Sequence, residues 1–481
     1  MATKLKLELL SKEEVANMYD KCLHLLSTKG ERVEHEEALK LLDKAGAQVD
    51  FGKQIVKYPA DMVEEAIRKA PKSFPMAGQI EENDFIIPDP NGLFYTRTST
   101  GAPQYAEPES TKYHPTTLAD VAEWGQLTSL LEDMNCCTFP SPQDVPGETA
   151  DIHALKVLFE NTTKHIVTQP YSLKAIKYLY ELAIVAAGSE EAYRKRPIMS
   201  MLACTLPPFT FPDLYAEVVI YASRLGVPFF PNPMTVAGAA APITIPGTVL
   251  QGGTEIMGKI TMSYLLNPKG VPAIPHLGVF TLDMITGRTL RSSIESIMAA
   301  AASAQFVTEA IHVPSCTHGF STDSYISDGQ AVMDVMLRNL MVVLAGADML
   351  VNAGHIANGI AASPVQLIID NKITTISKRI KAGLKVDDDT LAWQEILDTE
   401  PGGHYLELAH TLKHCREALR TGLSVTQPRD TWMAEGSKDL LTRMVEEYHD
   451  MKKKLQPREL PSEVKREMER IVKKADEELA K

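Results

Sequence analysis

Residues 229–288 read FFPNPMTVAGAAAPITIPGTVLQGGTEIMGKITMSYLLNPKGVPAIPHLGVFTLDMITGR. An apolar run ends in a glycine/alanine turn at 237–242, a helical stretch follows, and a second apolar run at 271–276 closes on His276. Strand, turn, helix, strand is one unit of a parallel α/β fold. Outward from this unit the same alternation recurs, with β-type runs at 134–139, 165–170, 197–205, 227–231, 271–276, 312–317 and 349–352. Those are seven strands, and no eighth is evident. The pattern predicts a TIM (β/α)8 barrel, and an open doubly wound sheet is the alternative. No GxGxxG or GxxxxGK[ST] loop follows any of these runs, which lowers the nucleotide-binding alternative.

The barrel is expected over residues 111–390, between a helical lead-in with a β-hairpin cap (1–110) and a C-terminal helical extension (391–481). Ser11 and Glu14 form a capping box ahead of a helical pattern, and 35–45 and 60–70 are also helical. The segment FIIPDPNGLFYTRTSTGAPQYA at 85–106 has turn signals at 88–92 and 101–103 and reads as a small hairpin, either a surface strand or a lid over the barrel mouth. In the tail, 402–419 reads as packed and 459–481 as a solvated helix.

The 481 residues are 44% hydrophobic and 23% charged, enough for a large core, with a formal charge of −13. That balance gives no basic footprint, so nucleic acid and anionic membrane surfaces are excluded as partners. The start MATKLKLELLSKEEV has no apolar signal core, and the apolar stretch 331–351 contains Asp334, Arg338 and Asp348, so no membrane span is expected and the cytoplasm is the expected location. Six cysteines are scattered without CxxC or paired CxxC/HxxxH spacing, which predicts neither a disulfide framework nor a metal site; Cys136 and Cys137 read as core residues of a strand.

In a parallel barrel the chemistry sits where strands end. Those ends offer Gln169 and Tyr171, Thr205, Phe230 and Asn232, His276, Cys316 and His318, and Asn352 and His355. No lysine stands among them, which argues against a Schiff-base aldolase. His276, His318 and His355 lie on separate units, leaving a three-histidine metal site as an alternative. Asp283 and Glu255 are the carboxylates nearest these ends. In the hairpin, alternation places Tyr95 and Arg97 on one face.

Six motifs then occur in order: DVP at 144–146, NTTKH at 161–165, RPI at 196–198, AGAAAPIT at 237–244 with Gly247, Thr248 and Gln251 after it, DMITG at 283–287, and QLIIDN at 366–371. Together they resemble the trimethylamine methyltransferase (MttB-like) superfamily of corrinoid-dependent methyltransferases, over nearly the whole chain. The resemblance implies a TIM barrel that moves a methyl group from an amine to the Co(I) of a separate corrinoid protein. Trimethylamine enzymes of this group carry pyrrolysine in the loop that here reads NAGHIANG at 352–359, all ordinary residues. The chain therefore resembles the members without pyrrolysine, the glycine betaine and quaternary amine methyltransferases.

Cobalt(I) attacks a methyl carbon in line, and a quaternary ammonium already makes a neutral amine leaving group, so position and desolvation are what the protein must supply. Phe94, Tyr95, Phe230 and Phe320 are candidates for an aromatic cage around the cation. Arg97, with His355 and His318 behind it, is the candidate donor to a betaine carboxylate. Gln169, Asn232, Gln251, His276 and Asn352 are further candidate substrate contacts, and His355, His318 and Glu255 the candidate catalytic groups. Asp151 and His153 begin a corrinoid-binding DxHxxG pattern that fails at Lys156, so no cofactor is expected on this chain and the corrinoid comes on a partner. A homo-oligomer is expected, with the apolar helix at 292–306 suited to its interface. A trimethylamine-type enzyme, a metal-assisted hydrolase and a non-catalytic betaine-binding module are the competing readings.

Overall fold

Strands covered by helices on one side and by a filled interior on the other are buried at every position, so they read as continuous apolar runs. His165–Thr168 and Met199–Thr205 are buried along their whole length. The protein is described here by a computed structural model covering residues 5–480.

We number the strands of the central sheet β1 (Tyr95–Thr98), β2 (Cys136–Cys137), β3 (His165–Thr168), β4 (Met199–Thr205), β5 (Phe229–Ala237), β6 (Gly278–Leu282), β7 (Cys316–His318) and β8 (Met349–Ala353). They are parallel, in the order β7-β8-β1-β2-β3-β4-β5-β6, and Thr289–Leu290 adds an antiparallel strand on the edge of β6. The sheet is thus a nine-stranded, parallel-rich one. It curls: Ala273 pairs with Phe229 in the same register in which Gly278 pairs with Met234, and His276 bridges Cys316 in parallel. Cys316 N donates to Pro275 O at 2.8 Å, so the two ends of the row meet through this segment. A helix follows each strand, from Leu118–Leu130 after β1 to Pro364–Lys381 after β8.

All seven predicted runs fall on or against this sheet. The hairpin reading of 85–106 is corrected. Phe85–Ile87 pairs with Phe74–Met76, Gln104–Ala106 pairs with Tyr113–Pro115, and Tyr95–Thr98 is neither a lid nor a surface strand but β1, between β8 and β2. The expected boundary at residue 110 therefore falls after the first parallel strand. Thr96 and Thr98, the polar half of β1, are buried and satisfied inside: Thr98 Oγ1 receives Thr138 N at 2.9 Å, and Thr96 Oγ1 donates to Asp133 O.

The lead-in holds the expected helices Lys12–Thr28, Glu36–Lys44 and Ala60–Lys69, and the capping box is present, Ser11 N donating to Glu14 Oε2 at 2.7 Å. An unforeseen small sheet, in which Glu31–Val33 lies between Thr210–Phe211 and Ile55–Lys57, fastens the lead-in to the core. There Lys259, on the helix Ile245–Leu266, pairs with Glu31, both completely buried. A Cβ at Gly258 would stand 2.7 Å from Glu31 Oε1, so the glycine makes room for that carboxylate.

The tail reverses both expectations. Residues 402–419 contain no buried side chain, with Leu406 and Leu412 about four-fifths exposed. The helix Ser462–Leu479 buries Met468, Ile471, Val472 and Ala475, a stripe at 3.6-residue spacing, against the helices Ala175–Ala187 and Ala150–Asn161. The helix Ile294–Phe306, expected at an oligomer interface, packs between its own neighbours Ile245–Leu266 and Gly329–Leu344. Among the described residues no helix is long and apolar enough to cross a membrane.

Candidate functional site

At the C-terminal ends of the parallel strands lies a cavity of about 360 Å³ lined by Arg97, Gln169, Tyr171, Cys204, Asn232, Met234, His276, Arg291, His318, Asn352 and His355, among others. The strands from β3 to β8 and the loops beside them all supply lining groups, Asn232 and Met234 coming from within β5 and Arg97 from within β1. A cleft of about 470 Å³ lies between Tyr113, Tyr325 and the helix Leu440–Lys452, but its acidic groups Glu107, Glu109 and Glu446 are exposed to water.

The cavity's polar groups are buried and short of partners. Arg97 is 1% exposed, its Cζ 5.5 Å from the centre of the Phe230 ring. Its Nε and Nη1 carry no hydrogen bond, and no Asp or Glu stands among the residues lining the cavity. Asn232 Oδ1, His276 Nδ1, Tyr171 Oη and both ring nitrogens of His355 are likewise buried and unsatisfied. Buried polar groups are normally bonded, so a cluster of orphans in one cavity describes the outline of a polar ligand.

Charge in the cavity is positive. Burial pushes His276, His318 and His355 well below the ordinary imidazole range, and neighbouring arginines push further in the same direction, Arg97 on His276 and both Arg97 and Arg291 on His318 and His355. Three neutral rings and two guanidinium groups result. His276 Nε2 lies 3.4 Å from His318 Nδ1, and the His318 ring lies in turn tilted against that of Phe280, their centres 4.7 Å apart, with the Arg291 guanidinium 4.8 Å from the Phe280 ring centre. Arg291 is brought down to about 10 by burial. Gly278 permits this packing, since a Cβ there would stand 2.7 Å from His318 Cε1.

The end of β8 and the loop after it are held in an uncommon backbone. Asn352, Ala357 and Asn358 all have positive φ. Gly354 N donates to Asp370 Oδ2 at 2.7 Å and Gln366 Nε2 to Asp370 Oδ1 at 2.8 Å, so the QLIIDN motif fixes the loop that bears His355. Asp151 does the same after β3, accepting from Tyr171 N at 2.8 Å. His153, read from the sequence as an ordinary helix residue, pairs with Asp476 of the C-terminal helix at 3.1 Å.

Of the residues singled out in the sequence, Arg97, Gln169, Asn232, His276, His318, Asn352 and His355 come together in the cavity. Glu255 and the four cage candidates stand outside its lining. Phe94 is buried near Lys378 and Lys381, Tyr95 Oη donates to Ile86 O at 3.0 Å, Phe230 lies under Arg97, and Phe320 is buried in the main core. As placed, they form no aromatic cage. Glu255, raised by burial, is fully occupied: it accepts from Thr205 Oγ1, from Phe209 N at 3.1 Å and from Gln251 Nε2 at 3.2 Å, holding the loop after β4. Gln251 also donates to Ala240 O at 2.8 Å and braces the turn. Arg291 was missed: it belongs to a loop just before the helix cap Ser293, where strand-end reasoning does not reach.

The model of the family described as trimethylamine methyltransferase (MTTB) matches residues 2–480. The chain belongs to this family. It is 29% identical over 469 residues to trimethylamine methyltransferase MttB of Desulfitobacterium hafniense (strain DSM 10664 / DCB-2), covering 97% of this chain and 94% of that one. It is 27% identical to trimethylamine methyltransferase MttB of Methanosarcina barkeri (strain Fusaro / DSM 804), with 98% and 96% covered. To the glycine betaine methyltransferase of Desulfitobacterium hafniense (strain Y51) it is 26% identical, with 89% of each chain covered. Among solved structures, the Methanosarcina barkeri monomethylamine methyltransferase (MtmB) superposes with a TM-score of 0.50 over 92% of this chain and 98% of that one, at 10% identity, a likeness of fold.

Proposed function

We propose that this member of the MttB family takes a methyl group from a carboxylate-bearing quaternary amine and transfers it to the Co(I) of a separate corrinoid protein. Glycine betaine is the first candidate, followed by proline betaine, carnitine and γ-butyrobetaine. The observation that carries this reading is Arg97: a guanidinium buried in the cavity, its Nε and Nη1 unpaired, with no acid in the lining. A plain ammonium would be repelled there, whereas a betaine brings its own carboxylate to Arg97 and its own cation to the neutral imidazoles. The similarity to a glycine betaine methyltransferase and the absence of pyrrolysine from residues 352–359 support the same choice. We read the curled sheet, whose ends meet at Pro275 and Cys316, as a closed eight-stranded barrel with this cavity at its mouth.

In the reaction the cobalt lone pair forms the new bond to the methyl carbon as the C–N bond breaks, and that electron pair leaves on nitrogen. The product is a tertiary amine and methyl-cobalt(III), with no proton moved. The chain's residues bind and orient. Arg97 holds the carboxylate by charge-assisted hydrogen bonds, and the neutral histidines accept the ammonium without fixing it as a counter-ion would, so the ground state is not over-stabilised.

Adding reduced corrinoid protein and a panel of amines, and following methyl-cobalt absorbance, tests the proposal. Glycine betaine or another betaine should turn over, and Arg97→Ala should lower its kcat/KM by about 10²–10³-fold, the scale of a lost buried ionic contact, while leaving the weaker turnover of tetramethylammonium unchanged or raised. Equal loss on both substrates, or turnover of trimethylamine alone, overturns it. Binding of betaine without methyl transfer would make the chain a binding module.

A further inference from the structure

Between Ser377 and Met444 no residue is buried. The helices in this arm, Asp388–Leu391, Trp393–Asp398, Ala409–His414 and Arg429–Ala434, have no core of their own, and Trp393, Leu406 and Leu412 stand open to solvent. A segment that buries so little needs another source of stability, of which a bound metal is one.

The arm gathers ligands for one. Asp389, from its first half, and His410 and His414, one helical turn apart in its second half, bring one ligand atom each to within 4.8 Å of one another. His410 Nε2 lies 2.8 Å from the Asp389 backbone oxygen, and the two rings are 4.4 Å apart. His414 is already arranged as metal-binding histidines are. Its Nδ1 hydrogen-bonds Glu417 Oε1 at 2.7 Å, which fixes the tautomer, and its Nε2 is buried, without a hydrogen bond, 3.5 Å from Asp389 Oδ2. Lys413 Nζ holds the Asp389 carboxylate at 2.5 and 2.7 Å and would compete with an ion for it.

We propose that Asp389, His410 and His414 form a site for a divalent transition-metal ion, zinc being the probe, with a fourth position open to water, and that the ion staples the two halves of the arm. Two imidazoles and a carboxylate suit zinc and its neighbours rather than calcium or magnesium. The site is far in chemistry from the cavity and independent of the proposed function, and it goes against the sequence-based expectation that the chain holds no metal.

The test uses the full chain, stripped with chelator and dialysed against zinc. One zinc per chain is expected, together with slower proteolysis within residues 385–437. His414→Ala should weaken zinc binding at least about tenfold, Glu417→Gln about 10–100-fold as for a lost outer-shell partner, and Lys413→Met should strengthen it. Cobalt(II) should give the visible bands of a four-coordinate N/O site in the wild type and lose them in the His410→Ala/His414→Ala double variant. A His276→Asn variant should bind zinc as the wild type does, which separates this site from the buried histidines of the cavity. Less than a trace of zinc per chain, or full binding by the double variant, overturns the proposal. The substitutions in the arm lie outside the core, and unchanged thermal unfolding of those stripped variants verifies that they fold.

Discussion

Lys259 and Arg97 are both buried over a phenylalanine ring, and their surroundings differ in one respect. Lys259, at the seam between lead-in and core, sits 4.2 Å from the centre of the Phe211 ring and is paired with Glu31, to which Tyr58 Oη also donates at 3.3 Å. Arg97, in the cavity, sits over Phe230 and has no such carboxylate. Desolvating a charge costs several kcal/mol unless something compensates it. At the seam the chain compensates it with its own acid, and the result is structural. In the cavity the chain leaves it uncompensated, and the result is a demand for an anionic ligand.

The comparison breaks most visibly if Lys259 is removed. Lys259→Met leaves Glu31 buried without a counter-charge, and should cost about 3–5 kcal/mol in chemical denaturation; a loss below 1 kcal/mol would mean the pair is not the fastener it looks to be. Arg97→Met should do the opposite, leaving stability unchanged or raising it by about 1–4 kcal/mol, because an uncompensated charge is replaced by an apolar stem. A destabilisation as large as that of Lys259→Met would show that Arg97 has a structural partner.

Acid sharpens the same contrast. His276, His318 and His355 are held well below the usual 6.5 by burial and by the arginines, so the unfolded chain takes up protons near that pH and the folded one does not. The contribution of these three groups is therefore complete above about 6.5 and falls as the pH drops below it, while Asp151 and Asp370, which burial raises to about 7, act in the opposite sense. The difference between melting curves of the wild type and of His318→Gln with His355→Gln, from pH 8 to pH 5, isolates the histidine part and should shrink as the pH falls. The smallest effect is expected at Arg224 and Glu37, an ion pair between core and lead-in that is about half exposed. Arg224→Ala should cost less than about 1 kcal/mol, and that little should vanish in high salt.

Legibility followed burial chemistry. The seven apolar runs were readable because a strand buried on both faces is apolar throughout. β1 was not, because FYTRT alternates like a strand facing water. Its threonines are instead satisfied by Asp133 and Thr138 inside the core, and its arginine faces the cavity. In the tail, the charge of residues 459–481 hid a four-residue stripe, while the apolar residues of 402–419 suggested packing that no neighbouring element provides. Strand ends led to the histidines, Gln169, Asn232 and Asn352, which line the cavity, whereas Glu255 and the four aromatic candidates stand outside its lining, since sequence position does not say into which layer a side chain turns.

The sequence by itself determined the family, the alternation of strands and helices, the polar strand ends, and the absence of pyrrolysine from the loop at 352–359, all of them properties carried by residues close together in the chain. Only the tertiary structure decided that residues 95–98 belong to the central sheet, that Glu31 neutralises Lys259, and that no acid lines the cavity around Arg97. Whether a buried charge is compensated depends on groups far away in sequence, and no local pattern records which of them arrive.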